Sequence, residues 1–433
     1  MTRNRSETVL NYRLFGEMDM KNESRTSVHQ NRLIFGSANE NMKMYLLSVV
    51  RKLFNTKKMT TSDIRRQKIK KMMLHAWNGY KNYSWGFAEV SPVSKTPHWA
   101  ELFGGDKMPV TIVDALDTLF IMDLQEEYEE ARDFVRDNFT MESATTPLSV
   151  FETTIRFVGG LLSAHALTKE QFYVDKAKEV ADSLLPAFDQ VSGIPTSILD
   201  VSRKIATNFG WAGGSILAEI GTLHLEFVYL SQLTGNSTYR DAVQKIRDAL
   251  DRMPKKNGLY PTYINTLDVN IPLRSIYTLS ACGDSFYEYL LKSWLQSDRT
   301  DEQAQRMYWN ASQAIVSTLL KKSSKSNLTY LAVLNGEYTQ HRMGQLACFA
   351  VGMFGLQAVN ELNQDRKDEA MKIAEDLAKT CHESFIRSET GIGPEEFDFE
   401  WERDATAANS VHYLLRPEPI EGFFYLWRLT GKP

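Results

Sequence analysis

Glu152, Asp284 and Glu418 lie far apart in a chain of 433 residues, yet each opens a strongly apolar, aromatic-rich stretch. Their settings are Phe151-Glu-Thr-Thr-Ile-Arg-Phe157, Gly283-Asp-Ser-Phe-Tyr-Glu-Tyr-Leu290 and Arg416-Pro-Glu418. A carboxylate held against apolar surface is costly unless it has a partner, a metal or a proton to move. Sugars offer hydroxyls to carboxylates and apolar ring faces to aromatics. Three acids in such settings point to a centre that cleaves carbohydrate.

Plainer readings stand beside that one. Glu152 precedes Arg156 by four residues, so on a helix the two can simply pair, although Phe157 to Leu162 leaves that face little water. Asp284 suits any helix start through the macrodipole. Glu288, one turn on among Phe286, Tyr287 and Tyr289, is an acid that a helix start does not need. Arg416-Pro417-Glu418 places proline at a helix start, with Glu421 three residues on and Tyr413, Phe423, Phe424, Tyr425 and Trp427 around it. Glu219 and Glu226, in apolar helical sequence, and Glu395, after Gly393-Pro394 at an expected helix start, are further candidates for one pocket. The sequence holds no His-Glu-x-x-His pair and no phosphate-cradling loop; the metal chemistry these acids suit is that of a hard, oxygen-bound cation such as calcium.

The elements that must position these acids are helices. In 215–233 the residues Ile216, Leu217, Ile220, Leu223, Phe227 and Leu230 keep the 3.6-residue period of one helix, which ends at Thr234-Gly235. Similar breaks near Thr168, Gly235, Asp298, Asn363 and Gly431 recur every 63–68 residues, with an earlier one at Asp123 to Gln125. That period predicts stacked helical hairpins joined by glycine- and proline-rich connectors at 192–195, 258–261 and 391–394. Only two residues follow the last break, so the final hairpin is expected to lack its second helix. Ile420, Phe423, Phe424, Leu426 and Trp427 would then expose an apolar face.

Composition fits a large soluble protein: 43% apolar, 24% charged, net charge −4, without a basic field for nucleic acid. Arg65, Arg66, Lys68, Lys70 and Lys71 read as a solvated helix face. Residues 1–60 are polar and aperiodic, expected as a disordered arm before a domain over 61–433, and show no signal peptide. The uncharged run 344–360 reads as a buried helix rather than a membrane span, and no membrane anchor is seen. Cys348 and Cys381, on adjacent expected helices, are either two buried thiols or a cross-link worth roughly 3–4 kcal/mol. Five glycosylation sequons, at Asn82, Asn138, Asn236, Asn310 and Asn327, are compatible with a secretory compartment.

From about Lys71 to Thr430 the chain resembles the class I α-1,2-mannosidases, glycoside hydrolase family 47. The likeness is carried by Thr111-Ile-Val-Asp-Ala-Leu-Asp-Thr-Leu119, Ile155-Arg-Phe-Val-Gly-Gly160, Ser215-Ile-Leu-Ala-Glu219, Gly221-Thr-Leu-His-Leu-Glu-Phe227, Gly283 to Leu290 and Arg416-Pro-Glu418. Gly-Asp-Ser-Phe is similar to the Golgi branch; the endoplasmic reticulum branch carries arginine where Cys282 stands. The resemblance implies an all-α fold, an (αα)7-type barrel or toroid of helical hairpins, here without the last hairpin elements. It implies inverting, calcium-dependent exo-hydrolysis of α-1,2-linked mannose from high-mannose N-glycans by a monomer in the secretory-pathway lumen, in the Golgi. By that likeness Glu152 is on the acid side, Glu418 is the base and Asp284 a further catalytic carboxylate. Arg156, Glu219, Glu288, Glu395, Arg416 and Glu421 bind substrate, and Cys348 pairs with Cys381.

Departures are equally specific. The family's calcium-ligating threonine belongs to a Thr-Glu-Ala-His-Pro motif that would lie beyond Pro433, Gln345 replaces a histidine, and 270–281 differs from the family loop. A glycan-binding, lectin-like member without turnover is therefore the alternative function. A helical scaffold for other proteins would instead have an open polar interior without clustered acids.

Overall fold

A computed structural model describes residues 60–98, 101–188, 190–400, 403–407 and 411–432. The expected disordered arm lies, but for Thr60, outside the described residues.

Two compact units separate. The described residues of the first, 60–85 and 90–96, are built on helix α1 (Thr61–Ser84). Thr60 and Asp63 cap α1 reciprocally, each side chain bonded to the other's backbone N–H. Along α1, Arg65, Arg66, Lys68 and Lys71 are exposed and Lys70 is half-buried, the solvated face expected of them.

The second unit is a succession of helical hairpins. Among the described residues these are α2 (Val110–Ile121) with α3 (Gln125–Asn138), α4 (Gly159–Thr168) with α5 (Phe172–Leu184), and α6 (His224–Thr234) with α7 (Ser237–Arg252). They continue as α8 (Asp284–Gln296) with α9 (Glu302–Ala314), α10 (Ala350–Asn360) with α11 (Gln364–Ile386), and α12 (Glu418–Thr430). The breaks fall where the period places them, and side chains explain several of them. Asn236 caps α7, Asp301 caps α9 and Asn363 caps α11, each accepting a backbone N–H, while Gly235 and Gly431 close α6 and α12 at φ +69° and +67°. The fold is all-α in class.

The first helices of successive hairpins form the inner row. α2 packs on α4, α4 on α6, α6 on α8, α8 on α10 and α10 on α12. α10 is buried on almost every side, from Ala350 to Ala358, as a helix apolar all round must be. No described helix is long and apolar enough to cross a membrane. α7, an outer helix, buries one stripe through Tyr239, Val243, Ile246 and Leu250 and turns charge to solvent. Glycines set the closest contact: a Cβ on Gly352 would lie 2.6 Å from Tyr425, and one on Gly422 would lie 2.7 Å from the Val351 Cβ. The turn Gln345–Phe349 that leads into α10 is joined to α11 by the Cys348–Cys381 disulfide, and Cys282 is a free thiol. On α12, Ile420 is exposed and Phe424 and Trp427 are half-exposed.

Two local expectations change. The apolar run 215–233 is not one helix but a strand (Ser215–Ile216), a short helix (Leu217–Gly221), a break at Thr222 and Leu223, and then α6. The Phe286 ring packs so closely on Gly221 that a Cβ there would lie 2.4 Å from it, and Thr222 leaves helical geometry at ψ 45°. Glu395 does not start a helix; it precedes the strand Glu396–Asp398, which pairs with Arg342–Gly344. The segments beside the glycine- and proline-rich connectors form small antiparallel sheets of two or three strands. Those sheets matter for position: Leu148–Ser149, Ser215–Ile216 and Arg342–Gly344 each lead directly into an inner helical turn.

Candidate active site

Glu152 is the third residue of the turn Val150–Thr153, which follows the strand Leu148–Ser149 and is capped by the Ser149 hydroxyl. A π-wound turn, Thr154–Val158, comes next and carries Arg156, a device common where a helix must present side chains to a site. Glu219 is the third residue of Leu217–Gly221, while Asp284 and Glu418 are the first residues of α8 and α12. The acids thus stand at helix starts, where the unpaired N–H groups favour negative charge. Gly283 is required before Asp284, because a Cβ there would lie 2.2 Å from the Thr278 carbonyl oxygen. Cys282, just before it, takes φ +73°, a conformation uncommon outside glycine.

These helix starts meet in one cavity of about 530 Å³ that opens to solvent. Glu152, Arg156, Glu219, Asp284, Glu288, Arg416, Glu418 and Glu421 all line it. Glu395 stands behind the lining and holds Arg416 in two parallel bonds of 2.9 and 2.7 Å. Glu226 is not a lining residue; it is buried and accepts a 2.7 Å bond from the Tyr289 hydroxyl, which does line the cavity. Gln345 is fully buried, its N–H donating to the Glu395 carbonyl at 2.9 Å.

Sequence reasoning missed several contributors. Arg156 donates to Glu152 at 2.8 Å and also to Asp114 at 3.0 Å. Asp114 sits in the Thr111–Leu119 motif, and an acid inside that apolar helix was its available signal. Lys292, Trp211, Ser285 and Phe349 also line the cavity. Trp211 is half-exposed and stacks near Phe209 at 5.7 Å, giving the lining a flat apolar wall. Nothing in its spacing announces that.

Burial dominates the electrostatics. It lifts Asp284 to about 6 against the bonds from the Ser285 N–H and hydroxyl, with Glu288 and Glu418 adding to the rise. Burial likewise raises Glu219 to about 7, helped by the charge of Glu152. Glu421 also reaches about 7 through burial and Glu288, opposed by Lys292. Glu418 rises for the same first reason, with Arg416 opposing and Glu395 and Glu288 assisting. One oxygen each of Glu219 and Glu418 is buried without a hydrogen-bond partner. Such groups are poised to exchange protons or to accept ligand hydroxyls.

The cavity is an oxygen-rich, acidic surface of the kind a hard cation prefers. Among the described residues, however, no group of three or more His, Cys, Asp or Glu side chains is arranged to hold a metal ion directly. The residues described do not make a coordination sphere.

Comparison with known proteins matches the chain to a family. A family model described as glycosyl hydrolase family 47 covers residues 72–433. Mannosyl-oligosaccharide 1,2-alpha-mannosidase mans-2 of Caenorhabditis elegans is 56% identical over 390 residues, 89% of this chain and 66% of its own length. Mannosyl-oligosaccharide alpha-1,2-mannosidase IA of Drosophila melanogaster is 47% identical over 374 residues, 86% of this chain and 56% of its own. The chain spans between about half and two thirds of the length of such relatives. The solved alpha-1,2-mannosidase from Trichoderma reesei superposes with a TM-score of 0.76 at 27% identity, covering 85% of this chain and 81% of its own.

Proposed function

The chain belongs to glycosyl hydrolase family 47, and from that premise we propose that the cavity hydrolyses α-1,2-linked mannose with inversion, acting from the end of high-mannose N-glycans. The observation that carries the reading is the meeting of Glu152, Asp284 and Glu418, from three distant helix starts, on one sugar-sized cavity.

In the proposed reaction Glu418 takes a proton from a water that attacks the anomeric carbon. The bond from that carbon to the bridging oxygen breaks, and the leaving oxygen gains a proton from the acid side. Glu152 and Asp284 make up that side. Asp284 keeps its proton up to about pH 6 because burial disfavours its anion. Arg156 fixes the Glu152 carboxylate toward the cavity. Inversion needs the attacking and protonating carboxyls roughly 6.5–9.5 Å apart, leaving room for the water. Arg156, Glu219, Glu288, Glu395, Arg416 and Glu421 bind or orient the sugar in this reading, and Trp211 supplies a face for a ring.

Calcium enters the proposal as a dependence and not as a step, since the described residues offer it no direct coordination sphere. The proposed setting is the lumen of the secretory pathway, in the Golgi, with a monomer acting on glycoprotein glycans. The names of the relatives and the sequons are what support it.

The test is release of mannose from α-1,2-mannobiose and from a high-mannose N-glycan, with calcium and with EGTA, followed by NMR of the anomeric proton. The proposal expects β-mannose as first product, less release in EGTA, and a loss of about 10²–10⁴-fold in Glu418→Gln. α-Mannose as first product would overturn inversion. Binding of the disaccharide without release would replace hydrolysis by the lectin-like reading.

A further inference from the structure

The cavity lining carries three cations, and the proposed chemistry uses two of them. Arg156 serves Glu152 and Asp114, and Arg416 serves Glu395. The third, Lys292, lies two turns into α8 among the lining residues and is only 20% exposed. Its Nζ is 2.5 Å from Glu288 Oε1, one turn back on the same helix. Glu421 and Tyr425 reach it from α12, and Glu226, itself bonded to Tyr289, acts on it from α6. One ammonium therefore faces three inner helices' worth of acids and phenols.

Nothing in the proposed chemistry uses this lysine, yet its removal would be felt. Two partly buried carboxylates, Glu288 and Glu421, would be left without their counter-charge, and like charges held close in a poorly solvated site repel. Glu288 acts on the reacting acids, raising Asp284 and Glu418, and Glu421 feels the charge of both Glu288 and Glu418. We propose that Lys292 is the positioning residue of this pocket, fixing the Glu288 carboxylate and balancing Glu421 so that Asp284 and Glu418 are correctly aimed and charged. The inference rests on the hydrolytic reading of the cavity. Lys292 touches Glu288 and does not itself transfer a proton.

Three variants of the chain test it: Lys292→Met, Lys292→Arg, and Lys292→Met combined with Glu288→Gln. With α-1,2-mannobiose, Lys292→Met should lower kcat about 10–100-fold, the scale of a misplaced reacting group, and leave KM within about threefold. Its alkaline pH limb should move upward, because the acidic cavity loses the cation that Glu288, Glu421, Tyr425 and Glu226 face. Lys292→Arg, keeping the charge, should recover most of kcat. A purely packing role predicts lower stability with kcat and pH limb unchanged in the folded fraction, and that result overturns the inference. Denaturant unfolding supplies an arm free of activity: Glu288→Gln should restore stability lost in Lys292→Met, since it removes the stranded charge. No such coupling overturns the inference. If the unaltered chain releases no mannose while the coupling is present, the hydrolytic reading fails and the Lys292–Glu288 pairing stands.

Discussion

Asp284 shows how one residue gains a chemical property from its surroundings. Alone at a helix start it would be more acidic than a free carboxyl, because N–H groups and the Ser285 hydroxyl favour its anion. Burial between apolar walls and acidic neighbours wins instead and lifts it to about 6. The proton it holds is lost as pH rises through that value. The expected outcome is that kcat/KM for a mannobioside peaks at or below about pH 6 and falls tenfold per unit above the alkaline limb. A maximum above pH 7.5 would show that the proton comes from another group. On the acid limb Glu418 must be ionised, and Arg416 beside it keeps that limb from climbing further.

Elements place the acids by how helices begin. Short strands and tight backbone junctions deliver the chain into inner helices, so that the first turn faces the cavity. The junction before α8 is the most constrained, with Cys282 at φ +73° and Gly283 against the Thr278 carbonyl. Gly283→Ala is expected to lower stability by about 1–3 kcal/mol, the usual scale of overpacking, and to lower kcat more than KM by swinging Asp284 aside. Far-UV circular dichroism with kinetics on the folded fraction checks both. Unchanged kcat in a destabilised variant would mean that the α8 start is free to relax. Hairpin breaks were legible because Gly235, Asn236, Asp301 and Asn363 carry local capping chemistry. The break at Thr222 and the strand at Glu396 were not, since Phe286 and Arg342 to Gly344, which enforce them, come from distant sequence.

At the scale of the whole molecule, an acid-lined cavity is held at a cost. Asp284, Glu219 and Glu421 have folded values of about 6, 7 and 7, above those of an exposed carboxyl. Between pH 4 and 7 the folded state therefore holds more protons at these sites than the unfolded chain, so stability falls as pH rises. Buried His224 works in the opposite direction below about pH 6.5, because burial holds it neutral while the unfolded chain would protonate it. Three groups outweigh one. Denaturant unfolding is expected to show lower stability at pH 7 than at pH 5, and Glu219→Gln is expected to flatten that slope. A slope of the opposite sign would mean that a bound cation or another titrating set controls the cavity.

Local chemistry in the sequence determined the class of fold, the hairpin period, most helix boundaries, and the short list of acids at helix starts. Period, capping and turn residues act over a few positions, and the motifs around those acids are equally local. Tertiary structure alone decided which of them share a cavity, that Glu395 stands behind Arg416, and that Glu226 is backed by Tyr289. It also brought in Asp114, Trp211 and Lys292. Desolvation and charge pairing depend on distance in space, and residues hundreds of positions apart set those distances only when the inner helices pack side by side.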